Sequence, residues 1–233
     1  MAGRWGGSDL NIESRIERLN TFINEDRVIR GEWTGTDEQG RETACLLAAL
    51  APEVVEAEGE WACPANIMPS WFAYLTPWMD DNASDTEWHR TVRRYAACAA
   101  RWSALDNAAW RRIEVAARRA AVVEAMRHMT DAQASAILLQ VLAWLDAGTP
   151  EPERGALQAA ALKAQGDAAN VASAATRIAD APLYTAALAA DMAGMAAEPA
   201  SGTAAGLAAA AQRAAADRIT DAILSALEKE CGL

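Results

Sequence analysis

The densest cluster of potential ligand atoms in this sequence lies between residues 80 and 89. It comprises Asp80, Asp81, Asn82, Ser84, Asp85, Glu87 and His89. Clustered carboxylates beside a histidine can bind a hard divalent cation, because Mg²⁺ and Ca²⁺ prefer oxygen ligands. The spacing lacks the central glycine and the terminal glutamate of an EF-hand loop. We favour the alternative, in which Ser84 and Glu87 form a capping box and the carboxylates complement the positive end of a helix.

An arginine-rich band, residues 90–127, follows this cluster. It holds nine arginines and three acidic residues, whereas residues 1–89 and 128–233 carry net charges of −11 and −6. Helical spacing would align these arginines in stripes that could bind nucleic acid, with Trp102 and Trp110 as stacking partners. The candidate residues are Arg90, Arg93, Arg94, Arg101, Arg111, Arg112, Arg118 and Arg119. Because nucleic-acid-binding domains are usually basic overall, we favour intramolecular pairing with the acidic N-terminal third.

Motifs for catalysis are absent from the sequence. The two histidines, His89 and His128, lie in no HExxH motif, and neither a P-loop nor a dinucleotide-binding glycine motif occurs. The four cysteines are dispersed and form no CxxC pair, which favours free thiols in a reducing compartment. We therefore predict a protein that is not an enzyme, with no catalytic residues, no metal site and no cofactor.

Cap residues and apolar spacing predict helices along the whole chain, and no segment shows the alternation of a half-buried strand. Ser8 or Asp9 is the expected cap of a first helix that ends near Asn24. Prolines then restrict the following segments to short helices. The remaining predicted helices cover residues 41–50, 52–58, 69–76, 84–103, 106–129, 130–146, 153–180, 182–197 and 203–230. The predicted fold class is all-α.

Composition divides the chain near residue 147. All nine tryptophans occur at or before Trp144, and alanine dominates the remainder. Residues 147–154 contain a glycine and two prolines, which indicates a linker. We predict a Trp-rich helical bundle over residues 1–147 and an Ala-rich helical bundle or hairpin over residues 153–233. Residues 1–8 are glycine-rich and are expected to be a vector-derived leader.

The expected location is the cytoplasm. No apolar stretch reaches the roughly 18 residues of a membrane span, and the first residues lack the apolar region of a signal peptide. The alanine-rich helices are expected either to fold back on the N-terminal bundle or to form a homodimer by close packing.

Four segments carry a resemblance to known proteins: residues 41–53, residues 63–81, the stretch Trp88-His-Arg-Thr-Val-Arg-Arg-Tyr95, and residues 216–224. Their order resembles that of uncharacterised alanine-rich proteins encoded in phages and prophages of proteobacteria. The alanine-rich half is also distantly similar to immunity-type helical domains. The resemblance implies a phage accessory protein that binds and blocks a host protein, for example an anti-CRISPR protein.

We therefore expect a non-enzymatic inhibitor of a host defence complex in an infected or lysogenic bacterium. The partner is a host protein or protein–RNA complex such as a CRISPR effector, and acidic faces would occupy its basic nucleic-acid channel. The candidate partner-binding residues are Glu53, Glu56, Glu58, Glu60, Asp80, Asp81, Asp85 and Glu87. Binding of nucleic acid by the arginine-rich band is the alternative function.

Overall fold

Helices account for nearly all of the described chain. A computed structural model describes residues 11–56, 67–148, 151–163, 166–176, 181–197 and 205–233. The helices are α1 (Ile12–Asn24), α2 (Leu46–Leu50), α3 (Glu53–Glu56), α4 (Ser70–Asn82), α5 (Asp85–Ala99), α6 (Asn107–Arg127), α7 (Ala132–Ala147), α8 (Glu151–Lys163), α9 (Asp167–Ala175), α10 (Ala181–Ala197) and α11 (Ala205–Cys231). A 3₁₀ turn, Trp102–Ala104, follows α5. The predicted all-α class is confirmed.

Local capping signals set several helix starts. Asp106 and Asp131 each accept a hydrogen bond from the backbone amide three residues later, at 2.7 Å, so α6 and α7 start close to the predicted residues 106 and 130. Asn11, rather than Ser8 or Asp9, caps α1 through a 2.9 Å hydrogen bond. Ser84 occupies the cap position of α5, but its side chain makes no capping bond.

A small hairpin replaces part of a predicted helix. Strands β1 (Thr34–Thr36) and β2 (Glu42–Ala44) pair antiparallel, and α2 begins only after them. The helix predicted over residues 41–50 is therefore wrong in its first half, as is the absence of any sheet. Asp37 stabilises the connecting turn by accepting hydrogen bonds from the amides of Gln39 and Arg41. Strands of three residues are too short to show a period of two in the sequence.

Helix α4 continues through Pro77, where the sequence predicts an end at residue 76. A proline inside a helix removes one backbone hydrogen bond and costs about 3 kcal/mol. Phe72, Leu75 and Met79 are fully buried on this helix. Their burial outweighs the cost of the proline, because tertiary packing supplies most of the stability of a helix in a protein.

Aromatic rings fill the core between α4, α5 and α6. Phe72 packs within 6.1 Å, between ring centroids, of Tyr95, Trp102 and Trp110. Offset and edge-to-face arrangements of this kind add stability beyond the burial of the rings. Phe72 therefore lies at the centre of a cluster that joins three helices.

Alanine side chains form much of the contact where α10 and α11 pack against each other and against α6. Ala186, Ala189, Ala193 and Ala215 are almost completely buried there. Small side chains let helices approach closely, and a Cβ on Gly194 would lie 3.3 Å from the carbonyl oxygen of Ala208. One hydrophobic core contains residues from both sides of position 147. The change in composition at that position is thus not a break in the core.

The predicted linker is short in the structure. Gly148 adopts a left-handed conformation and ends α7, which is the usual role of glycine after a helix. Helix α8 already begins at Glu151. The linker predicted over residues 147–154 is therefore wrong from residue 151 onward, where α8 has begun, and residues 149 and 150 lie outside the described residues. The helices on both sides contribute to the same core.

We predict that Gly194→Val lowers the free energy of unfolding by about 1–3 kcal/mol, because the added side chain meets the backbone of α11. Gly155→Ala is the matched control: nothing lies within 4 Å of its added Cβ, so stability should rise by up to about 1 kcal/mol. Urea unfolding followed by circular dichroism measures both. Unchanged stability of the Gly194→Val variant would contradict the close approach of α10 and α11.

Candidate protein-binding surfaces

Asp80 is a buried residue and not part of a partner-binding face. Its side chain is fully inaccessible and accepts hydrogen bonds from the indole Nε1 of Trp88 at 2.8 Å and from the amide of Leu46 at 3.2 Å. Burial raises the pKa of the Asp80 carboxyl to about 6. The prediction that Asp80 contacts a partner is therefore wrong, because it joins α4 to α2 and α5 inside the protein.

Three other acidic residues of the 80–89 cluster also make internal contacts. Asp81 accepts a 2.7 Å hydrogen bond from the amide of Gly31. Ion pairs of 2.5 Å join Asp85 to Arg30 and Glu87 to Arg90. Among the described residues, no three potential metal ligands converge on one point. Hydrogen bonds and ion pairs thus account for this cluster without a cation.

The second predicted acidic face lies around residues 53–60. Glu53 forms an ion pair of 2.7 Å with the buried Arg15 of α1. Glu56 is the last residue of α3, whereas Glu58 and Glu60 lie outside the described residues. In the part of this face that the structure describes, Glu53 therefore stabilises the packing of α3 against α1.

Asp80 should make stability depend on pH. The folded protein keeps the proton on this carboxyl up to about pH 6, whereas an unfolded aspartate loses it near 3.8. The contribution of Asp80 to the free energy of unfolding is therefore fully present below the pKa of the unfolded state. It falls by about 3 kcal/mol as the pH rises from about 4 to above 6.

We predict that Asp80→Asn, whose amide does not titrate, lacks this dependence. Urea unfolding of both proteins between about pH 4 and pH 7 measures it. The stability of the wild type relative to the variant should decrease by about 3 kcal/mol over that range. A constant difference would show that Asp80 titrates normally.

The arginine-rich band forms ion pairs mainly with α11. Arg94 contacts both carboxylate oxygens of Glu228, at 2.7 and 2.8 Å, and Asp221 at 2.6 Å. Arg112 contacts both oxygens of Glu230, at 2.9 and 2.6 Å. Pairing within the chain is thus confirmed, but the predicted partner is wrong for these arginines: the carboxylates come from α11 and not from the N-terminal third.

Of the other band arginines, Arg90 pairs with Glu87 and Asp221, and Arg127 pairs with Glu124. The remaining five fall into two groups. Arg118 is buried and pairs with Glu114 one turn earlier, and Arg119 pairs with Asp146 of α7 at 2.9 Å. The second group is exposed and has no ion pair within the described part of the chain. It consists of Arg93, Arg101 and Arg111. The arginine stripes of the nucleic-acid-binding alternative therefore retain these three cations without an ion pair in the described chain.

Another ion pair connects α6 to α11, and here the carboxylate belongs to α6 and the arginine to α11. Glu124 of α6 is buried, and both its oxygens accept hydrogen bonds from Arg218 of α11, at 2.9 and 2.5 Å. His128 contacts the same carboxylate at 3.0 Å. Helix α11 thus supplies carboxylates to arginines of α5 and α6, and an arginine to a carboxylate of α6. These pairs fix the orientation of α11 against α5 and α6.

We predict that Arg94→Ala lowers the free energy of unfolding by about 1–2 kcal/mol, because it leaves the carboxylate of Glu228 without its cation and leaves Asp221 with Arg90 alone, at 3.5 Å. Arg93→Ala removes the same charge from the neighbouring exposed position and should change stability by less than about 0.5 kcal/mol. Chemical denaturation at one pH compares the two. Equal effects would mean that the contacts with α11 add nothing to stability.

A groove that the sequence did not reveal lies beside α10. Two adjoining cavities of about 420 and 440 Å³ share Asp167 and Met195. Helix α10 forms one wall, and the other walls come from the turn between α6 and α7, the start of α9 and helix α11. The lining residues used below are Met129, Asp131, Asp167, Leu188, Asp191, Met192, Met195 and Gln212. We call this feature the acidic groove.

Three carboxylates and three methionines dominate the acidic groove. Its described lining residues include His128 but no lysine or arginine. Within the described residues, Asp131, Asp167 and Asp191 have no ion-pair partner. Asp131 caps α7, and Asp191 accepts a 2.7 Å hydrogen bond from Gln212. Partial burial raises the pKa of the Asp191 carboxyl above its usual value, although the residue remains exposed to solvent.

Comparison with known proteins gives no identification. No family model matches the chain, and no match was found among curated proteins or solved structures. Within the ranges that the structure describes, no helix is both long and apolar enough to cross a membrane.

Proposed function

We propose that the protein is a non-enzymatic phage or prophage accessory protein that binds and inhibits a host defence complex through an acidic surface. A CRISPR effector in the cytoplasm of the bacterial host is the specific partner that the resemblance of the four segments implies. One observation carries the proposal. Carboxylates of the same chain neutralise most of the arginine-rich band, whereas the carboxylates of the acidic groove have no ion-pair partner among the residues that the structure describes.

Charge makes a basic protein the fitting partner. The chain has a net charge of −11, and its potential attracts surfaces that are lined with lysine and arginine. Such surfaces form the nucleic-acid channels of protein–RNA and protein–DNA complexes. A folded acidic protein can occupy a channel of this kind and exclude the nucleic acid, since complementary charge speeds association and selects the partner.

The nucleic-acid-binding alternative has weaker support. Arg94 and Arg112 each contact two oxygens of one carboxylate, and they would lose these contacts if they bound a phosphate instead. The exposed arginines without an ion pair in the described chain remain available for it, namely Arg93, Arg101 and Arg111. Filter binding at low salt, with a variant in which these three are changed to glutamate, tests the alternative directly.

We predict that expression of the protein restores phage plaquing on a CRISPR-immune bacterium by at least about 100-fold. A host that lacks the CRISPR system is the control and should show no change. In vitro, the purified protein should prevent a purified effector complex from binding its target DNA, and added salt should weaken this inhibition because the contact is electrostatic.

Plaquing that stays unchanged in every CRISPR-immune host tested would overturn the anti-CRISPR form of the proposal. Tight binding of DNA or RNA that the triple arginine-to-glutamate variant loses would favour the alternative instead. The two outcomes are distinct, because the first measures a protein partner and the second a nucleic-acid partner.

A further inference from the structure

The acidic groove has the dimensions of two turns of a helix. Leu188, Asp191, Met192 and Met195 follow one face of α10 at offsets of 0, 3, 4 and 7 residues. With a rise of 1.5 Å per residue, the stretch from Leu188 to Ala196 extends about 12 Å. A bound helix presents its own anchor side chains at the same spacing of three, four and seven residues.

The floor of the groove is apolar and adaptable. Met129 is partly buried, Met192 is buried and Met195 is half exposed. Unbranched, polarisable methionine side chains adjust to apolar partners of different shapes and are frequent on surfaces that bind amphipathic helices. Three of the seven methionines of the chain line this one feature. We take this concentration as a sign of a binding surface.

Charge selects among possible occupants. Asp131, Asp167 and Asp191 lie beside the apolar floor. No lysine or arginine is among the described residues that line the groove, and His128, which also lines it, contacts the carboxylate of Glu124. A second copy of this chain is disfavoured, because each copy has a net charge of −11. A metal ion is disfavoured as well, since no three potential ligands converge among the described residues. Apolar anchors flanked by lysine or arginine match both properties of the groove.

We propose that the acidic groove binds a basic amphipathic helix of the partner protein. Apolar side chains of that helix would contact Met129, Met192 and Met195, and its cations would pair with the three aspartates. The inference rests on the proposed function for the identity of the partner, but it assigns the surface and the chemistry of the contact independently.

The test uses the whole protein and a fluorescent model peptide. The peptide is an 18-residue helix with leucines at the helical spacing and lysines elsewhere, and anisotropy measures its binding. A scrambled peptide of equal composition and a peptide with glutamate in place of lysine are the peptide controls. We expect binding of the amphipathic basic peptide, binding at least tenfold weaker for both controls, and loss of affinity with added salt.

Protein variants locate the binding. The double variant Asp167→Asn with Asp191→Asn removes two charges and keeps an oxygen acceptor for Gln212, and Met195→Ser removes an exposed apolar contact. Each should weaken peptide binding at least tenfold. Glu17→Gln with Glu38→Gln removes two exposed carboxylates from α1 and the hairpin turn, away from the groove, and should change affinity less than twofold.

Equal affinities for the groove variants and the Glu17/Glu38 control would overturn the proposal, as would absence of binding to the wild type. The plaquing assay separates this result from the proposed function. A groove variant that still restores plaquing contradicts the groove and leaves the inhibitor function intact. A wild type that binds the peptide at the groove but restores no plaquing supports the groove and contradicts the inhibitor function.

Discussion

Ion pairing between α11 and the central arginines is the interaction on which the arrangement of the helices depends. Arg94 and Arg112 each donate two hydrogen bonds to a carboxylate of α11. Arg218 of α11 in turn donates two hydrogen bonds to Glu124 of α6. These pairs orient a helix whose apolar face contributes Ile223 and other side chains to the core. Helix α10 packs on α11, so the position of the acidic groove depends on the same contacts.

The parts of the fold that local chemistry determines could be predicted from the sequence. Asp106 and Asp131 cap the helices that follow them, because a capping carboxylate needs only the next three residues. Gly148 likewise ends α7 through its own backbone conformation. The all-helical class followed from several such signals together. Local patterns did not indicate how the two compositional halves meet, since alanines pack wherever a partner helix approaches.

The candidate site could be predicted much less well. Asp80 is a typical surface residue in sequence, and only the packing of Trp88 and α2 around it makes it a buried hydrogen-bond acceptor. The partners of Arg94 lie in a helix more than 120 residues away, where no periodicity connects them. The acidic groove draws on four separate segments, so neither its charge nor its methionines form a motif along the chain.

The contacts of Arg94 also have a consequence for synthesis. Asp221 and Glu228 are translated 127 and 134 residues after it, which takes roughly 6 to 27 s at ribosomal rates. During that interval Arg94 and Arg112 lack the carboxylates of α11 that later neutralise them. The core therefore closes only after α11 has left the ribosome, and a product that stops short of this helix exposes both apolar surface and unpaired arginines to chaperones, proteases and RNA.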